Sequence, residues 1–222
     1  MSAPACQRVG CVILAAGAGS RLGQAKPLLA LAGRPLVVRA AEAALASTAW
    51  PVVVVVGAHA ASVRPALAGL PVLVAENPAW AEGMASSLRT GLATLRCFSR
   101  EIDGAVFALC DQPHFSADVV QRLIARQRAT GTGIVAARYG GRLGAPALFT
   151  APFFHALESL EGDHGARDLI AAAHARGEAA AEDFPELALD IDTPADHARA
   201  LAALGLTEAS TPSRSADHSA NS

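Results

Sequence analysis

The hydrophobic positions of this chain fall into short apolar runs that alternate with longer segments of helical periodicity. The run of five valines that begins at Val52 is apolar at every position, as a strand is when helices cover both faces of its sheet. Similar runs predict strands at residues 11–14, 52–56, 72–74, 105–109, 133–138 and 145–149. Helical spacing predicts helices at residues 35–46, 60–70, 86–96, 118–130, 153–160 and 166–176. This alternation favours a three-layer α/β fold with a mostly parallel central sheet.

A single domain over residues 1–206 accounts for all of these elements. The chain has 222 residues, of which 52% are hydrophobic, so one sizeable core is expected. From Thr207 onward the residues are small or polar, with no large apolar side chain among them. Such a segment cannot offset the entropy cost of ordering, and residues 207–222 are therefore predicted to be a disordered tail.

Charge and composition exclude several classes of partner. The formal net charge is -2, which offers no basic field for a nucleic acid. No apolar run reaches the roughly 20 residues that span a bilayer, and the amino terminus has no signal-peptide pattern, so we expect a cytoplasmic protein without a membrane partner. The four cysteines form no C-x-x-C pair and the histidines have no metal-binding spacing, which favours reduced thiols and no zinc site.

The first predicted strand ends in a glycine-rich loop that carries two cationic side chains. Glycines let backbone N–H groups approach phosphate oxygens without an intervening Cβ, and cations can neutralise a triphosphate. The glycine spacing matches neither the P-loop nor the G-x-G-x-x-G pattern, and a simple chain-reversing turn is the structural alternative. The nucleotide-binding candidates here are Leu14, Ala15, Ala16, Gly17, Ala18, Gly19, Arg21 and Lys26.

A second unusual segment runs from Asn77 to Leu88, with a proline turn, a tryptophan and a serine-rich helix start. Ser86 is a residue type that caps helices, and the free N–H groups of a helix start attract anions. The start of this helix would therefore be a ready anion-binding site. A capped helix with a core tryptophan is the purely structural alternative.

Carboxylates occur at two notable places in the chain, and the first has the position that a magnesium site requires. Asp111 directly follows an apolar strand, so its carboxylate should lie at the ligand edge of the sheet, where Mg²⁺ binds one or two carboxylates together with phosphate oxygens. Asp190 and Asp192 are two residues apart, on one side of an extended segment. Each site has a structural alternative, because Asp111 can cap a helix and Asp192 or Thr193 can be an N-cap.

These segments together resemble a known family, the molybdenum cofactor cytidylyltransferases of the nucleotidyltransferase superfamily. The resemblance rests on the segment from Leu14 to Lys26 (L-A-A-G-x-x-x-R-L-G-x-x-K), on N-P-x-W-x-x-G-M-x-S-S-L from Asn77, and on C-D-Q-P from Cys110. It also includes G-A-P-x-x-F, L-E-G-D-x-G-A-R and D-I-D-T-P-x-D later in the chain. The family implies a Rossmann-like nucleotidyltransferase fold over nearly the whole ordered chain.

The resemblance also implies a role for each matching position. Ala15, Ala16 and Gly17 would line the base and sugar, while Arg21 and Lys26 would bind the triphosphate as catalytic cations. The segment from Asn77 would form part of the pocket for the nucleotide base and the acceptor, with Gly83, Met84, Ser86 and Ser87 as its candidates. Asp111 and Asp192 would be the catalytic Mg²⁺ ligands. The candidates for binding the acceptor are Gln112, Pro146, Asp163, Arg167 and Asp190, the last of which would also support the metal.

The implied reaction transfers CMP from CTP to molybdopterin, with release of pyrophosphate. Ala16 favours cytidine, because guanylyltransferases of the superfamily usually have glycine at that position. Guanylyl transfer to molybdopterin and cytidylyl transfer to another phosphate acceptor stay open as alternatives. A different class of function is also open: a non-catalytic carrier that delivers the cofactor to a molybdenum hydroxylase client.

Overall fold

The computed structural model describes residues 5–19, 25–191 and 193–205. Its strands are β1 (Val9–Ala15), β2 (Ala30–Leu31), β3 (Arg34–Pro35), β4 (Val52–Val56), β5 (Leu73–Glu76), β6 (Gly104–Leu109), β7 (Ile134–Tyr139), β8 (Arg142–Thr150) and β9 (Ala179–Asp183). Its α-helices are α1 (Leu36–Leu45), α2 (Ala60–Ala66), α3 (Met84–Phe98), α4 (Ala117–Thr130), α5 (Phe154–Glu158), α6 (Arg167–Ala175) and α7 (Pro194–Ala203). Every predicted strand and helix is found, with its ends displaced by a few residues.

The central sheet has seven strands in the order β5-β4-β1-β6-β8-β7-β9. β1 pairs in parallel with β4 and β6, and β4 with β5, so the carboxyl ends of these four strands lie at one edge. β8 runs antiparallel between β6 and β7, whereas β9 is again parallel to β7. The mostly parallel sheet is confirmed, and its ligand edge lies where β1 and β6 end.

Alternate residues of the strands are buried in two separate cores, one on each face of the sheet. On one face Ile13 and Val54 pack with side chains of α1, α2 and α4. On the other face Val12 packs with side chains of α3, α5 and α6, around an edge-to-face pair of Phe107 and Phe149 whose ring centroids lie 5.9 Å apart. Because strand side chains alternate between faces, the all-valine β4 supplies both cores, and the three-layer architecture follows.

Two features of the fold differ from the prediction. β9 and the short β2–β3 hairpin were not predicted. In addition, α3 begins at Met84 with Gly83 as its N-cap, so the expectation that Ser86 caps this helix is wrong. Gly83 has φ 107°, a backbone conformation that favours glycine and that reverses the chain ahead of the helix.

The carboxyl-terminal segment also has a local reason for its structure. Thr193 is the N-cap of α7, and its side chain accepts a hydrogen bond from the Asp196 backbone while the Asp196 carboxylate accepts one from the Thr193 backbone. This reciprocal cap bears out the structural alternative for Thr193. The predicted ligands Arg21 and Asp192, and the predicted tail at 207–222, lie outside the described residues. Among the residues that are described, no helix is long and apolar enough to cross a membrane.

Candidate active site

A cleft of about 610 Å³ opens at the ligand edge of the sheet. Its walls come from four places in the chain: the loop after β1, the start of α3 with the segment before it, the end of β6, and the loop between α5 and α6. The candidate residues that line it are Leu14, Ala15, Ala16, Gly17, Ala18, Gly19, Lys26, Gly83, Met84, Ser87, Asp111 and Asp163. Residues predicted separately from four motifs therefore meet at one cleft.

The loop after β1 forms one wall and is held by its backbone. The carbonyl of Ala16 accepts a hydrogen bond from Ala58 N at 3.0 Å, and the carbonyl of Ala18 lies 2.8 Å from His59 Nε2. A Cβ at Gly57 would lie 2.7 Å from the Ala16 carbonyl oxygen, so the close approach of these two segments requires glycine there. Gly17 has no such neighbour: a Cβ at that position would point into open space.

Lys26 and Asp111 meet at the floor of the cleft. The Lys26 ammonium donates to Asp111 Oδ2 at 2.5 Å, and the two side chains are only 15% and 20% exposed. The other carboxylate oxygen, Asp111 Oδ1, is buried and has no hydrogen-bond partner within the described part of the chain. A buried oxygen without a donor is unfavourable unless a cation or a donor binds it, so the donor set fits a divalent metal that is brought with a nucleotide.

The segment that carries the second predicted carboxylate is joined to this floor. Ile191 N donates to the backbone carbonyl of Asp111 at 3.1 Å, which brings the residue that precedes Asp192 in the sequence to the end of β6. Asp190 lines a neighbouring cavity rather than the cleft itself. No group of three or more histidine, cysteine or acidic side chains that could hold a metal occurs among the described residues.

The opposite wall is built on a buried amide that the motif did not single out. Asn77 is 1% exposed, and its amide donates to the hydroxyls of Ser86 and Ser87 at 2.8 and 3.0 Å. The Ser86 hydroxyl in turn donates toward the Ala79 carbonyl at 2.9 Å. Ser87 lines the cleft, whereas Ser86 lies behind the wall and braces it. The sequence signal for this network was the asparagine that opens the N-P-x-W segment, followed nine residues later by two consecutive serines.

The loop around Asp163 closes over the start of α3. Ala85 N donates to the Gly162 carbonyl at 3.0 Å. A Cβ at Gly83 would lie 2.3 Å from Asp163 Oδ1, and one at Gly165 would lie 2.7 Å from the Met84 sulfur. Only glycine permits these two contacts, so the L-E-G-D-x-G segment is packed against this wall of the cleft although about 80 residues separate them in the sequence.

A second cavity, of about 230 Å³, adjoins the cleft and shares Leu14, Met84, Leu109 and Asp163 with it. Its apolar side includes Leu88, Phe107, Phe149 and Ile170. Its polar side chains are Tyr139, Arg142, Asp163, His164, Arg167 and Asp190. Three predicted acceptor residues, Asp163, Arg167 and Asp190, therefore line one cavity next to the nucleotide cleft.

The other two predicted acceptor residues lie behind this cavity. Gln112 is 3% exposed, and its amide donates to the Tyr139 hydroxyl at 3.2 Å and to the Ala145 carbonyl at 3.1 Å. Tyr139 donates to the same carbonyl at 2.7 Å, and Pro146 is buried directly after it. Burial, with a further contribution from the Asp190 carboxylate, raises the pKa of Tyr139. Gln112 and Pro146 line neither the cleft nor this cavity. Gln112 instead binds β8 at the Ala145 carbonyl, directly before Pro146.

A parallel sheet with a glycine-rich loop, a lysine and a carboxylate at its ligand edge defines a nucleotidyltransferase. The family of MobA-like NTP transferase domains matches residues 11–179, and this chain belongs to that family. The match covers every element from β1 to the start of β9.

Relatives with curated names share the sequence to different extents. The chain is 30% identical over 197 residues to the purine catabolism protein PucB of Bacillus subtilis (strain 168), which covers 84% of this chain and 92% of PucB. It is 34% identical over 131 residues to the bifunctional protein GlmU of Pelobacter propionicus. That match covers 58% of this chain but only 28% of GlmU, so the chain spans little more than a quarter of that relative's length.

Solved structures have the same fold over nearly their full length. The Mycobacterium sp. strain JC1 homologue of Mycobacterium tuberculosis Rv0371c is 29% identical, with a TM-score of 0.76, and the match covers 90% of this chain and 98% of that one. Rv0371c from M. tuberculosis H37Rv, in a complex with manganese, is also 29% identical with a TM-score of 0.68, over 88% of this chain and 99% of that one. These matches agree with the three-layer α/β fold described above, and manganese is bound in the second of these relatives.

Proposed function

We propose that this nucleotidyltransferase transfers CMP from CTP to a molybdopterin-type acceptor. The observation that carries the proposal is the pairing of two adjoining cavities: a nucleotide cleft with Lys26 and Asp111 at its floor, and a smaller cavity with an apolar wall and Arg167. A transferase needs both sites next to each other, because the attacking atom must reach the nucleotide's phosphorus.

The reaction is an in-line displacement. A phosphate oxygen of the acceptor attacks the α-phosphorus of CTP, a new P–O bond forms, the bond to the β-phosphate bridging oxygen breaks, and pyrophosphate leaves with the electron pair. The protein contributes position and charge rather than a nucleophile. Lys26 lies where its ammonium can neutralise the phosphates, and backbone N–H groups of the loop that includes Gly17 can contact the same oxygens.

Asp111 and Asp192 would hold Mg²⁺ in this scheme. The ion, when bound, supplies charge neutralisation for the triphosphate and orients the α-phosphate. The unpartnered Oδ1 of Asp111 supports this assignment, and Lys26 would then exchange the carboxylate for a phosphate oxygen. Rv0371c in complex with manganese supports the choice of a divalent cation.

The preference for cytidine rests on Ala16. Ala16 is buried and lines the cleft, and its Cβ faces Gly57, where an added Cβ would lie 2.8 Å away. The base wall is therefore tightly packed at the position where guanylyltransferases of the superfamily usually have glycine. A bulkier purine at this wall would require the space that the Ala16 methyl group occupies.

The test is pyrophosphate release from CTP, GTP and ATP with Mg²⁺ and molybdopterin. We expect turnover that is selective for CTP. Asp111→Asn should lower the turnover rate about a hundredfold or more, because the metal ion that this carboxylate would hold is needed at the transition state. Asp118→Asn is the matched control, since that carboxylate is 72% exposed on α4. Turnover with GTP alone would place the protein with the guanylyltransferases. Tight acceptor binding without turnover of any nucleotide would contradict catalysis and favour the carrier for a molybdenum hydroxylase.

A further inference from the structure

Two arginines in the second cavity have side chains that form no ion pair or hydrogen bond with a described residue. Most of the described arginines are held by carboxylates, as Arg138 is by Asp183 and Arg122 by Glu182. Arg142 and Arg167 are different, because their guanidinium groups have no such bond, although the charge of Arg142 acts on Tyr139, and both side chains line the same cavity. A guanidinium left without a carboxylate at a cavity wall is available to an anionic ligand.

These arginines reach the cavity from different elements. Arg142 is the first residue of β8, directly after a turn of two glycines whose φ angles are 54° and 76°. Arg167 is the first residue of α6. The two sites are fixed by separate parts of the chain, so an anion between them would be contacted by two cations from two elements of the fold. Arg167 belongs to a recognisable motif, whereas no motif marks Arg142.

The remaining charges of the cavity limit where an anion can lie. Asp163 lies against the start of α3. The Asp190 carboxylate raises the pKa of Tyr139, and burial raises that pKa more. His164 pairs with Asp168 at 3.3 Å. The rest of the wall is apolar and includes Phe107 and Phe149. An anionic group is therefore favourable only beside the two arginines, while an uncharged ring suits the apolar wall.

We propose that Arg142 and Arg167 together bind the anionic group of the acceptor, and that Arg142 is a determinant of acceptor affinity. This inference rests on the proposed function and specifies the acceptor's chemistry: a flat ring that carries a phosphate. The cavity volume of about 230 Å³ suits the ring system alone, and in this proposal the phosphate lies beside the two arginines and reaches the adjoining cleft.

The test compares Arg142→Met, Arg142→Lys and Arg100→Met in the full chain. Arg100 is the matched control: it is likewise exposed and without a partner among the described residues, but it lies between α3 and β6, at the opposite edge of the sheet. We expect Arg142→Met to raise the KM for molybdopterin about ten- to a hundredfold, the loss that corresponds to one or two charge-assisted hydrogen bonds. The Kd for CTP with Mg²⁺ should stay within about twofold of the native value, because Arg142 does not line the nucleotide cleft.

Arg142→Lys should recover only part of the affinity, because an ammonium lacks the planar fork of a guanidinium. An unchanged KM in Arg142→Met, or an equal loss of CTP affinity, would overturn the inference. If the native protein releases no pyrophosphate, the proposed function fails but the arginine site can still be measured by binding inorganic phosphate to the nucleotide-free protein. Phosphate binding that is lost in Arg142→Met and kept in Lys26→Met supports the site, and the reverse pattern refutes it.

Discussion

Gly17→Ala should separate nucleotide binding from folding. A Cβ at Gly17 would meet no protein atom within 4 Å, and the residue does not have a positive φ that would strain an alanine. The substitution should therefore leave the free energy of unfolding unchanged or raise it by about 0.4–1 kcal/mol, through a less flexible unfolded chain. The same open space is the cleft that we propose for the nucleotide, so the new methyl group would lie where the backbone is expected to approach the phosphates.

The expected loss in binding follows from that geometry. Forcing one extra methyl group into a filled contact costs about 1–3 kcal/mol, which corresponds to a Kd for CTP with Mg²⁺ about ten- to a hundredfold higher. Calorimetric titration measures the affinity, and urea unfolding measures the stability. Gly57→Ala is the contrasting variant, because its Cβ would lie 2.7 Å from the Ala16 carbonyl oxygen and should impair folding and binding together. Native CTP affinity in Gly17→Ala, or a loss of stability as large as that of Gly57→Ala, would refute the reasoning.

Three further predictions test other parts of the structure. Asn77→Ala should lower the free energy of unfolding in urea by about 1–3 kcal/mol, because the buried hydroxyls of Ser86 and Ser87 lose their donor, and a change below a few tenths would show that the network is not needed. Of the four free thiols only Cys97 is exposed, so Ellman's reagent should modify one thiol rapidly in the native protein and all four in denaturant. Tyr139 is the only tyrosine, and its raised pKa means that the folded state retains the phenolic proton longer than the unfolded state does. The resulting stability is complete below a pH of about 10 and is lost as the pH rises through the folded pKa. Ultraviolet titration measures that pKa, and a value at or below the ordinary one would contradict the buried position.

The local sequence was sufficient to predict the strands that are buried on both faces, but it was not sufficient to predict the edge strand β9. Five valines in succession allow few alternatives to a central strand. By contrast, β9 has the sequence Ala-Ala-Ala-Glu-Asp, in which the alanines and the glutamate favour helices, and it is a strand only because β7 offers it a parallel partner from Ile134 to Arg138. Pairing with a distant strand leaves no signal in such a short segment.

The candidate site was predictable where a motif lies at the end of a strand, and less so where two distant segments meet. Lys26 and Asp111 were expected at one edge of the sheet, and they are found there in contact. The packing of Asp163 against Gly83 depends on two glycine conformations that no local pattern predicts. Arg142 follows an ordinary glycine turn, and only the folded structure shows that it lines the same cavity as Arg167.

The two halves of the proposed site come largely from different stretches of the gene. The walls of the nucleotide cleft come largely from residues before Gln112, whereas Tyr139, Arg142 and most of the acceptor side come from residues after it. Mutations in the later stretch can therefore alter the acceptor while the machinery that binds the nucleotide stays intact. Evolution can change one substrate at a time on such a scaffold, and an exchange of residues after β6 between two relatives would transfer acceptor choice without donor choice.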